Sequence, residues 1–260
     1  MSHCGSGAPP VEWAAMRWRA ALVVALVLGA PLAAAHAQTP AQTARALVAR
    51  YHEDRAVIDR ARDLLEQALA KDRQVETMVE LSHVHFLYGD IRATTDDDKL
   101  AAYDRGREIG KRAIELAPKN AEAHAWYGIN TGRWGQTKGV MRSLFLLPTV
   151  REAIDTTLAL DPRNLQALVL SGNVFLEVPG LFGGDRGKSE QQFRKALEID
   201  PRFTVARVDL ARVLIATGRP ADARRELQRV IDEKVPTNVA DWTVKDLPRA
   251  RQLLESIKGK

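Results

Sequence analysis

The segment that decides the fold reads Thr157-Leu-Ala-Leu-Asp-Pro162-Arg-Asn164. Two similar segments occupy residues 113–120 and 196–203. In each copy an apolar helical stretch runs into a proline, which ends a helix because it lacks an amide donor and clashes with the preceding turn. A small residue follows ten positions after each proline, within the next apolar run, at Gly128, Gly172 and Ala211. The pattern predicts that a helix, a turn and another helix repeat along the chain.

The prolines that close the units are Pro118, Pro162, Pro201 and Pro236. Their spacings of 44, 39 and 35 residues equal or exceed the tetratricopeptide repeat (TPR) period of about 34 residues. The extra residues fall between paired helices, around 132–139 and 179–187, so we expect these insertions to collect on one edge of the stack. The sequence therefore predicts an all-helical, right-handed, TPR-like α-solenoid of about four helix pairs.

Both ends of the repeat region depart from the pattern, as expected where a terminal unit must cover an exposed apolar face. We expect N-terminal capping helices at 38–74, TPR-like repeats at 75–236 and a C-terminal capping helix at 237–260. The first repeat is degenerate. Its second helix is predicted to start at Thr95, whose hydroxyl suits an N-cap and is followed by aspartates that suit the positive end of the helix dipole.

The first 37 residues follow the order of a secretory signal peptide. Arg17 and Arg19 precede an apolar run at 20–29, and small residues then lead to a cleavage site predicted after Ala37. This run has about ten residues, whereas a membrane-spanning helix needs about twenty. We therefore expect a cleaved leader, no stable membrane span, and a periplasmic or secreted mature protein.

The mature chain would have no cysteine, because Cys4, the only cysteine in the sequence, lies in the predicted leader. This excludes disulfides, a thiol nucleophile and thiolate metal sites, and Gln38 at the new terminus argues against an N-terminal lipid. Basic and acidic residues are interspersed along the chain, without the clustered basic stripe that is typical of nucleic-acid binding. We expect no nucleic-acid partner and no cofactor.

Two motifs that could bind a ligand have ordinary structural interpretations. Residues 183–189 resemble a phosphate loop, but Phe182 stands where such a loop needs glycine. His83 and His85 are two residues apart and point away from each other on a helix, which disfavours a metal site. Since no Ser, His and Asp arrangement or carboxylate pair stands out either, we predict that the protein is not an enzyme.

Two short segments narrow the family further: residues 123–128, Ala-His-Ala-Trp-Tyr-Gly, and residues 147–152, Leu-Pro-Thr-Val-Arg-Glu. They resemble the regulator of microtubule dynamics proteins and the bacterial T-component proteins associated with TRAP transporters. Residues 179–185 and 250–254 are similar to the second group. The resemblance implies an exported, non-catalytic TPR protein whose concave face, lined by the first helix of each pair, binds a protein, a peptide or a small ligand.

The residues predicted to contact a partner are Trp126, Asn130, Arg133, Trp134, Asn173 and Arg212. For the first four, packing in the core or on a loop surface is the competing interpretation. The favoured function is an interaction module that binds a protein or peptide in its groove. The alternative is a periplasmic accessory protein of a TRAP-type transporter, which holds a small ligand or docks the solute-binding protein.

Asn173 and Arg212 occupy matching positions in adjacent units, so we expect them to face the groove together. A guanidinium there would donate charge-assisted hydrogen bonds to a partner, each contributing about 1.5–3 kcal/mol. The substitution Arg212→Ala is expected to weaken partner binding at least tenfold, with little change in melting temperature because the residue is predicted to be exposed. A binding titration and a thermal melt measure the two quantities.

Overall fold

The computed structural model describes residues 38–259, which form helices and contain no β-strand. Two helices, α1 (Pro40–Val48) and α2 (Val57–Lys71), precede four helix pairs. The pairs are α3 (Val75–Leu87) with α4 (Asp96–Leu116), α5 (Ala121–Lys138) with α6 (Val140–Leu160), α7 (Leu165–Glu177) with α8 (Arg186–Ile199), and α9 (Thr204–Ala216) with α10 (Pro220–Asp232). The all-helical prediction with four pairs is confirmed, whereas the signal peptide predicted at 1–37 lies outside the described residues.

The chain ends with α11 (Val239–Asp241), a π-helical turn (Trp242–Asp246) and α12 (Leu247–Ser256). A second π-helical turn, Tyr88–Arg92, extends α3, and a short 3-10 helix, Gly180–Phe182, lies between α7 and α8. Between residues 38 and 259, no helix combines the length and the apolar character that crossing a bilayer requires.

The repeated proline segment ends one helix and starts the next, as the turn between α6 and α7 illustrates. Helix α6 ends at Leu160, two residues before Pro162. Asp161 Oδ1 then accepts a hydrogen bond from the Arg163 amide at 3.0 Å, and Asn164 Oδ1 accepts one from the Ala167 amide at 2.9 Å. The asparagine thereby satisfies an amide that the first turn of α7 would leave without a partner.

The small residue in each first helix allows the second helix of the pair to pack closely. A Cβ atom added at Gly172 would lie 2.5 Å from Cε1 of Phe193, which is fully buried on α8. At Gly128 the same atom would lie 2.9 Å from Cβ of Ala153 on α6. Ala211 on α9 is likewise fully buried. These contacts explain why the sequence repeats a small residue at this position.

Two predicted boundaries differ from the structure. Residues 132–138, predicted as an insertion, are helical: α5 continues to Lys138 and turns at Gly139, where φ is +107°. The glycine at 135 does not break the helix but brings α6 close, because a Cβ there would lie 3.3 Å from Ser143 Cα. The second insertion, predicted at 179–187, ends earlier in the structure, because α8 begins at Arg186 with Asp185 as its N-cap.

Replacing Gly172 with alanine tests the packing within a pair. The added methyl would overlap the ring of Phe193, which is fully buried, so we expect the free energy of unfolding to fall by about 1–3 kcal/mol. The control is Gly180→Ala, where an added Cβ has no neighbour within 4 Å. Chemical denaturation of both variants measures the difference. Equal stability of the two variants would contradict the packing argument.

Candidate functional site

The first helices of successive pairs contact one another, α3 with α5, α5 with α7 and α7 with α9. They therefore line one face of the stack, the inner face, while the second helices pack behind them. Charged and aromatic side chains from all four first helices converge on this face, together with residues from the C-terminal part of the chain.

A C-terminal segment, residues 239–246, crosses the inner face and links the two ends of the stack. The Tyr51 hydroxyl, between α1 and α2, donates a hydrogen bond to Asp241 Oδ1 at 2.6 Å. The Thr204 hydroxyl, at the start of α9, donates to Asp246 Oδ2 at 2.7 Å. Between these contacts, Lys245 Nζ lies 2.8 Å from a carboxylate oxygen of Asp90, which follows α3.

The sequence predicted only an end cap for this part of the chain. Helix α12 does form one, because Ala250 and Ile257 are buried in the same apolar cluster as residues of α9 and α10. However, Ala240 belongs to the apolar cluster at the opposite end, with residues of α2 and α3. Hydrophobic periodicity could identify the cap, but no local pattern could indicate which distant surface the C-terminal segment contacts.

Trp126 forms part of an aromatic cluster on the inner face. Its ring stacks on the His83 imidazole with centroids 4.2 Å apart, and Phe86 lies 5.7 Å away. The Arg133 guanidinium and the Lys245 ammonium lie 5.9 and 5.4 Å from the centre of the Phe86 ring. Since only 8% of Trp126 is exposed, the residue supports the floor of the inner face and contributes little accessible surface.

Asn130, predicted as a contact residue, lies in the core. It is fully buried, and its amide nitrogen donates to the backbone carbonyls of Ser82 at 3.0 Å and Trp126 at 2.9 Å. Its side chain also occupies the space beside Gly106, where a Cβ would lie 2.6 Å from Asn130 Oδ1. The competing interpretation as a core residue is therefore correct: Asn130 holds α3, α4 and α5 together.

Arg133 and Trp134 are neighbours on α5 but lie on different sides of the stack. Arg133 reaches the inner face, where it forms an ion pair with Asp90, and 42% of its side chain stays exposed. Trp134 faces α4 and the start of α6, with the Arg107 guanidinium 4.9 Å from its ring centre. Of these two predicted contact residues, only Arg133 lies on the inner face.

Asn173 and Arg212 lie together, as their matching positions predicted. Arg212 donates to Asn173 Oδ1 at 2.9 Å, to Asp209 Oδ1 at 2.8 Å and to Glu177 Oε1 at 2.9 Å. Burial lowers the pKa of the Arg212 guanidinium, but Asp209 and Glu177 outweigh it and hold this pKa above its usual value. Because Arg212→Ala would also leave the buried Asp209 without its cation, we now expect this variant to lose stability as well.

The accessible polar groups of α5, α7 and α9 form one continuous strip. Gln136 donates to Glu177 Oε2 at 3.0 Å, which connects α5 to the network around Arg212. We call Arg133, Gln136, Asn173, Glu177 and Arg212 the polar strip. Arg133 and Glu177 are each 42% exposed, so a ligand could exchange bonds with them without unfolding the helices. Spacing along the repeats identified Asn173 and Arg212, but it missed Gln136 and Glu177.

Comparison with known proteins identifies the family. Residues 41–181, more than half of the chain, match the family described as Regulator of microtubule dynamics protein 1-3. The chain belongs to the regulator of microtubule dynamics family. Residues 184–241 match a Tetratricopeptide repeat family, so the two matches meet at the loop between α7 and α8.

Two similar proteins illustrate the family and the fold of this chain. The bovine (Bos taurus) protein named Regulator of microtubule dynamics protein 3 is 24% identical over 185 residues, which are 64% of this chain and 39% of that protein. The chain thus spans well under half the length of this relative. The crystal structure of a thermophilic TPR protein from Thermus thermophilus superposes with a TM-score of 0.61. It is 18% identical, and the superposition covers 84% of this chain and 99% of that one.

The inner face of this family member contains a buried acid, Asp246. Burial, together with Asp241 and Asp209, raises the pKa of the Asp246 carboxyl to about 7, against the opposing effects of the Thr204 hydroxyl and Lys245. The folded protein therefore keeps a proton on Asp246 up to about pH 7, whereas the unfolded chain releases it near pH 4. Since the folded state binds more protons between these pH values, the contribution of Asp246 to the free energy of unfolding decreases as the pH rises from about 4 to about 7.

The substitution Asp246→Asn removes this dependence while keeping a group that can accept the Thr204 hydrogen bond. We expect the unfolding free energy of the variant, relative to the unsubstituted protein, to increase between pH 5 and about pH 7 and to level off above that pH. Urea denaturation at several pH values measures it. Asp96→Asn, at a carboxylate that is 74% exposed, serves as the control. A difference that stays constant with pH would show that Asp246 is already ionised in the folded protein.

Proposed function

We propose that this protein is an exported, non-catalytic TPR adaptor that binds a segment of a partner protein along the polar strip. The observation that carries the proposal is the row of charged groups on the inner face, of which Arg133 and Glu177 are 42% exposed and Arg212 is 22% exposed. Arg133 lies on α5, Glu177 on α7 and Arg212 on α9, so one extended segment could contact three repeats at once. Binding through several adjacent repeats is the usual use of a solenoid surface.

The C-terminal segment limits where such a partner can bind. It covers the inner face from Asp90 to Thr204, and its buried residues Ala240 and Asp246 make it part of the fold. The polar strip, in contrast, keeps partly exposed groups on α5, α7 and α9. The proposed partner therefore binds beside the C-terminal segment and does not need to displace it.

The charges on the strip define the chemistry of the partner. Arg133 and Arg212 are held by Asp90, Asp209 and Glu177, so a partner must compete with carboxylates. A carboxylate of the partner can replace a carboxylate of this chain as the acceptor of one guanidinium. A backbone amide or a lysine of the partner can replace one of the groups that now donate to Glu177. Such exchanges favour a specific geometry because planar guanidinium groups bind carboxylates in paired hydrogen bonds.

Export is proposed from the leader-like sequence at 1–37. A transporter accessory role is the narrower alternative, and it rests on the short segments that resemble T-component proteins. Co-purification from periplasmic extract, followed by mass spectrometry, separates these ideas. A solute-binding protein among the retained partners would favour the transporter role, and another protein would favour a general adaptor.

Substitutions on and off the strip test the binding site. We expect Arg133→Gln to reduce retention of the co-purified partner at least tenfold, because a lost charge-assisted hydrogen bond costs about 1.5–3 kcal/mol. Arg142→Gln changes an arginine that lies beside Trp134, away from the polar strip, and this variant should bind the partner unchanged. Thermal melts confirm that both variants are folded. Equal retention by the two variants would place the partner elsewhere.

A further inference from the structure

Large apolar side chains remain exposed at one edge of the stack. They belong to the start of α6 and to the turn between α7 and α8, and they are Val140, Met141, Phe145, Leu181 and Phe182. Exposure is 81% at Met141 and 89% at Leu181. We call these five residues the edge patch. Large exposed apolar groups that occur together in a folded protein indicate a surface that contacts something else.

The turn that carries Leu181 and Phe182 is attached to α6, the helix whose start carries the rest of the edge patch. Arg151 on α6 donates hydrogen bonds to the backbone carbonyls of Phe182 at 2.8 Å and Gly183 at 3.3 Å. The bond between Gln136 and Glu177 places the end of α5 next to the end of α7. Both parts lie where the two helices of a pair are joined, and such connections share one edge of a solenoid.

The part of the edge patch at the start of α6 is bordered by positive charge. No Asp or Glu occurs between Glu122 and Glu152, although this stretch contains four basic residues. Two of them, Lys138 and Arg142, lie 5.7 and 5.8 Å from the centre of the Trp134 ring. In the part of the chain that the structure describes, neither forms an ion pair, so both charges are available to an anion.

This combination matches the surface of an anionic bilayer. Lipid phosphates attract lysine and arginine near the membrane surface, while exposed aliphatic and aromatic side chains enter the boundary between headgroups and acyl chains. An indole ring also favours that depth. We propose that the edge patch, with Lys138, Arg142 and Trp134, docks this protein on the surface of a membrane rich in anionic phospholipid.

The form of the edge favours a bilayer over a protein as the occupant. The apolar side chains project from the start of a helix and from a loop, and they are too exposed to line a groove. A fluid lipid surface can accommodate such separate projections, whereas a protein partner would have to supply a matching cavity for each. An acidic protein partner is therefore the alternative that the experiment must exclude.

Vesicle binding by the full chain tests the proposal. We expect the protein to sediment with phosphatidylcholine vesicles that contain about 30% phosphatidylglycerol, and binding should weaken in about 0.5 M NaCl because salt screens the attraction. Replacing Met141, Phe145 and Leu181 together with serine should reduce binding at least tenfold, as should Lys138→Gln with Arg142→Gln. The control replaces Leu116 and Val235 with serine, since both are exposed apolar residues outside the edge patch.

Residues 1–37 include an apolar run that could itself adhere to vesicles. A second measurement therefore reports which part of the protein contacts the lipid. An environment-sensitive fluorophore is attached at Met141→Cys or at Leu116→Cys, each in a Cys4→Ser background. Vesicles should shift the emission to the blue at position 141 and leave it unchanged at position 116. The proposal is overturned if position 141 shows no shift, or if the serine and glutamine variants bind as tightly as the control.

Discussion

The close contact between a small residue on each first helix and a side chain on its partner helix determines the rest of the structure. At Gly172 the ring of Phe193 occupies the space that a side chain would need, so α7 and α8 approach closely. Each pair formed in this way has one apolar surface left, and it is covered by the next pair. The row of first helices that results is what brings Arg133, Glu177 and Arg212 onto one inner face.

The sequence predicted those features that depend on short-range chemistry. Proline and asparagine fix the ends of helices through backbone hydrogen bonding alone, so the boundaries at Pro162 and Asn164 could be read directly. Residues 132–138 were misinterpreted as an insertion because a glycine that ends a helix and a glycine that lets another helix approach look the same in one sequence. Asn130 was misassigned for a related reason, since an amide nitrogen can donate hydrogen bonds to backbone carbonyls inside a core as well as to a partner on a binding face.

The candidate site was only partly predictable. Equivalent positions in two repeats brought Asn173 and Arg212 together, because repeats share their geometry. Their carboxylate partners and the contacts of Asp246 depend on packing between distant parts of the chain, for which a single sequence holds no spacing rule. The inner face and the edge patch are also chemically different: charged groups on the first already have partners within the protein, whereas Lys138 and Arg142 on the second form no ion pair within residues 38–259.

The hydrogen bond between Tyr51 and Asp241 joins residues 190 positions apart. Repeat arrays ordinarily unfold from their ends, one unit at a time, because each unit contacts only its neighbours. Here fraying of either end would also break the contact with the opposite end, so loss of one terminal unit becomes coupled to loss of the other. Such distant contacts slow folding, because a long loop must close before they form. During synthesis the helix pairs can form in order, but the inner face is completed only when the C-terminal segment arrives.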